Sequence, residues 1–176
     1  MKYYIELDTE TTSVKLVEYP GCNALYTLAD CFEAYEGTKE YNGIVAKIQE
    51  WYYGYVSKTA WCATSVSYFA NYIGIADQVG KYENVDKIKE HFNTRGFLDC
   101  TPNYGGGAYK AKRGDLVFFS DNHTYADCTH VGVVQAINHN TGYLKWIGGN
   151  TSDAISSRET NYLTDKYVVA FGRVDY

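Results

Sequence analysis

The chain has 176 residues, of which 45% are hydrophobic and 21% charged, and it contains only two prolines. This length suffices for one domain with its own hydrophobic core, and the composition excludes a disordered or fibrous protein. The 16 basic and 21 acidic residues give a net charge of −5 at pH 7, the opposite of the balance that a nucleic-acid binder carries.

The first half of the chain predicts a hairpin followed by helices. Residues 3–7 and 14–18 are rich in apolar residues around a polar DTETTS turn, which is typical of a β-hairpin. Residues 1–22 are expected to form an N-terminal extension of unassigned role. Apolar residues at helical spacing then predict four helices, which run from about residue 23 to 36, through Ile44, Ile48 and Trp51, from Cys62 to Gly74, and from Asn84 to Gly96.

The second half of the chain predicts strands. A glycine-rich, basic loop at 101–115 is followed by five apolar or alternating segments, at 116–120, 130–137, 143–148, 154–158 and 167–174. Helices that come first and an antiparallel sheet that comes second make the α+β class. We expect residues 23–176 to form one such domain.

The cysteines and the N-terminus indicate a compartment. Five cysteines in a chain of this size argue against a closed disulfide framework. The first ten residues, MKYYIELDTE, lack the apolar run of a signal peptide, and no segment approaches the roughly 20 apolar residues of a membrane helix. The expectation is synthesis in the cytoplasm, with free thiols and without membrane association.

Cys62 is the first candidate for chemistry. A cysteine in an apolar helix is more often an inert core residue, because a free thiol packs as a small hydrophobe. Cys62, however, falls in the first turn of its predicted helix, where free N–H groups and the positive end of the helix dipole favour the thiolate. The same N–H groups are suited to hold an oxyanion. Trp61 beside it is a candidate to exclude water or to stack on a ligand.

His130 and Asn150 complete a possible catalytic set. His130 begins a predicted strand in which Gly132 leaves room for another element to approach, although a solvated histidine at a strand end is equally compatible. Asn150 follows Gly148-Gly149 at the end of the next strand, and antiparallel pairing would return it to His130. An asparagine there can fix the imidazole tautomer, so the three residues match the Cys-His-Asn logic of nucleophilic catalysis.

Four ordered segments carry a resemblance to a known family. They are WCATSVSYFANYIGI, KRGDLVFFS, THVGVVQAI and WIGGNTSDAISSR. In this order they resemble the CHAP family of cysteine, histidine-dependent amidohydrolases/peptidases, from about residue 33 to the C-terminus. The resemblance implies a papain-like α+β fold, with N-terminal helices packed on a C-terminal antiparallel sheet. It also implies hydrolysis of peptidoglycan amide bonds, as in phage endolysins and bacterial wall hydrolases.

The resemblance assigns roles to individual residues. It places the nucleophile on Cys62, the base on His130 and the orienting residue on Asn150. Many relatives carry a glutamate two residues before that asparagine, where this chain has Gly148. Trp61, Tyr104 and Trp146 are expected to line the substrate groove, with an ordinary core role equally open for Trp146.

Other partners are expected to be few. No cofactor is expected, and no metal site, because residues 36–61 contain no Asp-rich loop of the calcium-binding kind and Cys128 with His130 lacks a second ligand pair. No wall-binding domain is expected beside the predicted domain. Targeting to the wall after release would therefore depend on a partner chain or on contacts through the 19 tyrosines. Two alternatives stay open: an NlpC-type peptidase or acyltransferase, and a non-catalytic wall-binding module.

Overall fold

A computed structural model of the chain describes the strands at 3–8 and 13–18 and the continuous stretch 27–176. Strands β1 (Tyr3–Asp8) and β2 (Ser13–Glu18) form an antiparallel hairpin, with Tyr3 opposite Glu18, as the sequence predicts. Within the described stretches, no helix combines the length and hydrophobicity needed to span a bilayer.

Helices occupy the middle of the chain. They are α1 (Leu28–Glu33), α2 (Gly43–Tyr53), α3 (Cys62–Tyr72), the short α4 (Ala76–Val79) and α5 (Val85–Thr94). Local sequence explains where two of these helices begin. Thr27 and Asp30 form a reciprocal capping box at α1, and the side chain of Asn84 accepts the Lys87 N–H at the start of α5.

A six-stranded antiparallel sheet follows. Its strands are β3 (Leu98–Cys100), β4 (Leu116–Phe119), β5 (His130–Asn138), β6 (Tyr143–Gly148), β7 (Ser156–Asn161) and β8 (Val168–Gly172). Their order in the sheet is β3-β8-β4-β5-β6-β7, and every neighbouring pair is antiparallel. The α+β class and the antiparallel sheet are therefore confirmed.

The sheet contributes to two buried apolar clusters. Alternate residues of β4 belong to different clusters: Leu116 and Phe118 join one, and Val117 and Phe119 join the other. The first cluster also contains residues of α1, α2, α3 and α5. Because both faces of β4 are buried, this strand has a continuous apolar sequence instead of an alternating one.

A buried carboxylate explains the polar residues before β4. Asp115 has no exposed surface. It accepts hydrogen bonds from the Tyr109 hydroxyl at 2.7 Å, the Lys112 N–H at 2.8 Å, Lys112 Nζ at 2.9 Å and the Val174 N–H at 3.0 Å. Asp115 thus ties the loop before β4 to the segment that follows β8.

Several element bounds differ from those predicted. Helix α1 is shorter than predicted and begins after Thr27, while residues 23–26 lie outside the described part of the chain. Strand β7 begins two residues later than the predicted segment 154–158 and extends further. Strand β3 and helix α4 were not predicted, because three and four residues are too few to show a hydrophobic period.

Candidate active site

Cys62 is the first residue of helix α3, as predicted, and its thiol is free. Only 5% of the residue is exposed. Burial raises the pKa of the Cys62 thiol, while backbone N–H groups of Val131, of Ala63 and of Cys62 itself act in the opposite direction. The N–H groups at the helix start favour the thiolate, as expected, but desolvation of a charged sulfur outweighs them and the net pKa of the thiol is raised.

The hydrogen bond with Val131 locates the thiol in the fold. Val131 follows His130 directly on β5, so the sulfur of Cys62 lies at the beginning of that strand. No hydrogen bond between the Cys62 thiol and the His130 imidazole is present in the described part of the structure. The helix start and the strand start are brought together by the contact with Val131.

His130 is partly buried beside two aromatic rings, whose own centroids are 4.5 Å apart. The centroid of its ring lies 5.9 Å from that of Phe119 and 5.4 Å from that of Trp146. Burial lowers the pKa of His130 to about 4, and the negative charge of Asp121 acts in the opposite direction. The imidazole is therefore neutral at pH 7 and can accept a proton as a base.

Thr151, not Asn150, is the hydrogen-bond partner of this imidazole. The Thr151 hydroxyl lies 3.3 Å from His130 Nε2. Antiparallel pairing of β5 with β6 does return the end of β6 to His130, since a Cβ at Gly148 would lie 3.2 Å from Nε2. Strand β6 ends at Gly148, however, and Asn150 has φ of 58°, in the left-handed region. Strand parity thus no longer applies at residue 150, and the hydrogen bond to Nε2 expected from Asn150 is made by Thr151.

Glycines allow the close approaches around this site. A Cβ on Gly132 would lie 2.6 Å from the Trp146 ring, so the ring occupies the space that the missing side chain leaves, as predicted. A Cβ on Gly149 would overlap Ser65 Oγ and lie 2.6 Å from the Trp61 ring. The turn after β6 therefore packs directly on the first part of α3.

A cavity of about 470 Å³ opens beside His130. Trp146 and Asn150 line it together with Phe119 and Thr151. Trp146 is 8% exposed and belongs to the second buried cluster, so it serves both the core and the cavity wall. Tyr167, which the sequence analysis did not select, also lines the cavity and is 46% exposed.

Two of the expected groove residues lie elsewhere. Trp61 has no exposed surface and belongs to the first buried cluster, so its ring is not available for stacking on a ligand. The Tyr104 hydroxyl donates to the carbonyl of Lys166 at 2.7 Å. Tyr104 does not line the cavity, although Lys166 is the neighbour of Asp165 and Tyr167, which do. Neither residue lines the cavity beside His130.

The residues that the structure describes contain no group of three or more His, Cys, Asp or Glu side chains able to hold a metal ion.

Comparison with known proteins gives no relatives: no family model, no curated protein and no solved structure matches the chain.

Proposed function

We propose that the chain is a cysteine-dependent peptidoglycan hydrolase that cleaves an amide bond, with residues 23–176 as a papain-like catalytic domain. One observation carries the proposal. The buried thiol of Cys62, at the start of a helix, accepts a hydrogen bond from the N–H of Val131, the residue that follows His130. The imidazole of His130 lines a cavity of about 470 Å³. The order of the four CHAP-like segments supports the substrate class, whether the bond is a muramoyl amide or a bond in a stem peptide or cross-bridge.

The reaction starts from a neutral pair. The pKa of Cys62 is raised and that of His130 is about 4, so at neutral pH the thiol is protonated and the imidazole is not. His130 takes the thiol proton as the sulfur attacks the carbonyl carbon, and the backbone N–H groups at the start of α3 face the developing oxyanion. His130 then gives that proton to the leaving amine, and water hydrolyses the thioester.

Substrate contacts differ from those expected on sequence alone. Trp146 and Tyr167 line the cavity beside His130, and they offer apolar rings to a sugar or peptide. Trp61 belongs to the same buried cluster as Cys62. Tyr167 keeps about half its surface exposed, which suits a residue that contacts a polymer from outside.

The proposal is tested on purified peptidoglycan from Gram-positive bacteria. Digestion is expected to release new free amino groups, and mass spectrometry of the fragments is expected to show the addition of one water for each bond cut. Heat-inactivated protein serves as the control. New reducing sugar ends without new amines would identify a glycosidase, and binding to walls without any new ends would identify a non-catalytic module. Either result would overturn the proposal.

Thr151 provides a test of how the imidazole is held. Thr151→Val keeps the shape of the side chain but removes the hydroxyl bonded to His130 Nε2, so we expect kcat/KM for amide release to fall roughly tenfold. Thr151→Ser keeps the hydroxyl and is expected to retain most of the activity. Asn150→Gly, which keeps the left-handed backbone, is expected to have a smaller effect than Thr151→Val. A larger loss in Asn150→Gly would restore Asn150 as the orienting residue.

A further inference from the structure

The cavity beside His130 carries an uneven set of charges. Three carboxylates line it, those of Asp121, Glu159 and Asp165, together with one guanidinium, that of Arg158. Three of these four groups are engaged with neighbours: Glu159 bonds the Tyr143 hydroxyl, Asp165 accepts the Tyr167 N–H at 2.9 Å, and Arg158 donates to Ser152 at 2.6 Å. The carboxylate of Asp121 has no hydrogen-bond partner among the described residues, so no neighbouring donor offsets its negative charge.

The backbone holds Asp121 beside the start of β5. Its N–H donates to the Thr129 hydroxyl at 3.2 Å, and the Thr129 N–H donates to the carbonyl of Phe119 at 2.8 Å. Phe119 is itself paired with His130 in the register of β4 and β5. Asp121 is therefore fixed next to Thr129, the residue that precedes His130. Asp121 and His130 line the same cavity.

The position of Asp121 suits a carboxylate that stabilises the protonated form of His130. When the imidazole takes a proton it becomes a cation beside the rings of Phe119 and Trp146, where burial opposes positive charge. A carboxylate that faces the same cavity offsets this cost. The other ionisable groups around His130 are those of Glu159, Asp165, Arg158 and Tyr167 in the cavity and the Cys62 thiol on α3.

We propose that Asp121 is a positioning residue that stabilises the imidazolium form of His130 by its charge. This inference rests on the proposed function, in which His130 carries the thiol proton during the reaction. The charge of Asp121 raises the pKa of His130 against the effect of burial, in agreement with this role. Asp121 thereby supports both the removal of the proton from Cys62 and its storage until the amine leaves.

The test compares Asp121→Asn with Glu159→Gln. Both residues are exposed and both changes remove one negative charge from the same cavity, but Glu159 is engaged with Tyr143. Protein labelled at the histidine rings is titrated by NMR, and the signal of His130 is assigned by its loss in His130→Gln. We expect the midpoint of His130 to fall in Asp121→Asn and to stay at the wild-type value in Glu159→Gln.

The kinetic result is expected to follow the titration. In Asp121→Asn, kcat for amide release falls roughly tenfold, the acid limb of kcat/KM moves to lower pH, and Asp121→Glu recovers part of the loss. An unchanged His130 midpoint in Asp121→Asn, or an equal fall in Glu159→Gln, would overturn the inference. The titration needs no substrate, so a midpoint that falls in a protein that cleaves no amide would contradict the proposed function instead.

Discussion

Replacement of Cys62 by alanine is expected to abolish the release of amines from peptidoglycan, with a loss of at least about 10³-fold. The reason is chemical: without the sulfur no thioester forms, and His130 alone has no nucleophile to activate. Cys62→Ser is expected to be nearly as inactive, because a hydroxyl is a far weaker nucleophile here and the neutral imidazole, with its pKa of about 4, is a weak base. The measurement is the rate of amine release from purified walls.

The Cys62 variants need a control for folding and for general thiol effects. Cys100 is a free, partly buried cysteine on strand β3, outside the cavity beside His130. Cys100→Ser is therefore expected to keep wild-type activity. Cys62→Ala leaves a small buried cavity, which is expected to cost about 1 kcal/mol of unfolding free energy and to leave the protein folded. Equal amine release by wild type and Cys62→Ala would exclude Cys62 as the nucleophile.

The positions of the main elements could be predicted from sequence, because their hydrophobic patterns are strong. Helix α3 begins at Cys62, and β5 begins at His130, as their apolar spacing indicates. Antiparallel pairing of β5 with β6 then follows from their closeness in sequence. This pairing brings the histidine and the turn after β6 to one end of the sheet. The position of the helix start, with Cys62 beside Val131, does not follow from it.

The details of the site could not be predicted in the same way. Alternation along β6 predicts the side of residue 150 only if the strand continues, and the left-handed residues Asn150, Ser152 and Asp153 show that it gives way to a tight turn. The sequence GGNTSD signals a turn, but not which side chain faces His130. Trp61 illustrates a second limit, since an aromatic residue beside a candidate nucleophile has the same sequence pattern in a core as in a groove.

The charge states at the site were also beyond sequence reasoning. A cysteine at a helix start suggests a lowered pKa, because the helix dipole is a local property of the chain. Burial, in contrast, depends on every element that packs around the residue. For Cys62 and His130 burial is the larger influence, and it opposes the charged form of each. The result is a neutral pair in place of the expected thiolate.

Replacement of Asp115 by alanine is expected to cause the largest loss of stability, about 3 to 5 kcal/mol of unfolding free energy. The fully buried carboxylate accepts hydrogen bonds from Tyr109, from two groups of Lys112 and from the Val174 N–H. In Asp115→Ala the Val174 N–H remains buried without its acceptor, which costs the desolvation energy of an unpaired donor. The measurement is equilibrium unfolding by urea.

A matched control separates burial of the carboxylate from its charge. Glu33 also accepts from a cationic side chain, with Arg113 Nη1 at 2.9 Å, but its side chain is 34% exposed. Glu33→Gln is therefore expected to cost no more than about 1 kcal/mol, because water screens the pair and solvates the remaining arginine. Should Asp115→Ala fail to fold, Asp115→Asn keeps the shape and one acceptor oxygen and allows the midpoint to be compared. If the urea midpoint of the Asp115 variant equals that of Glu33→Gln within experimental error, the buried network does not hold the start of β4 to the segment after β8.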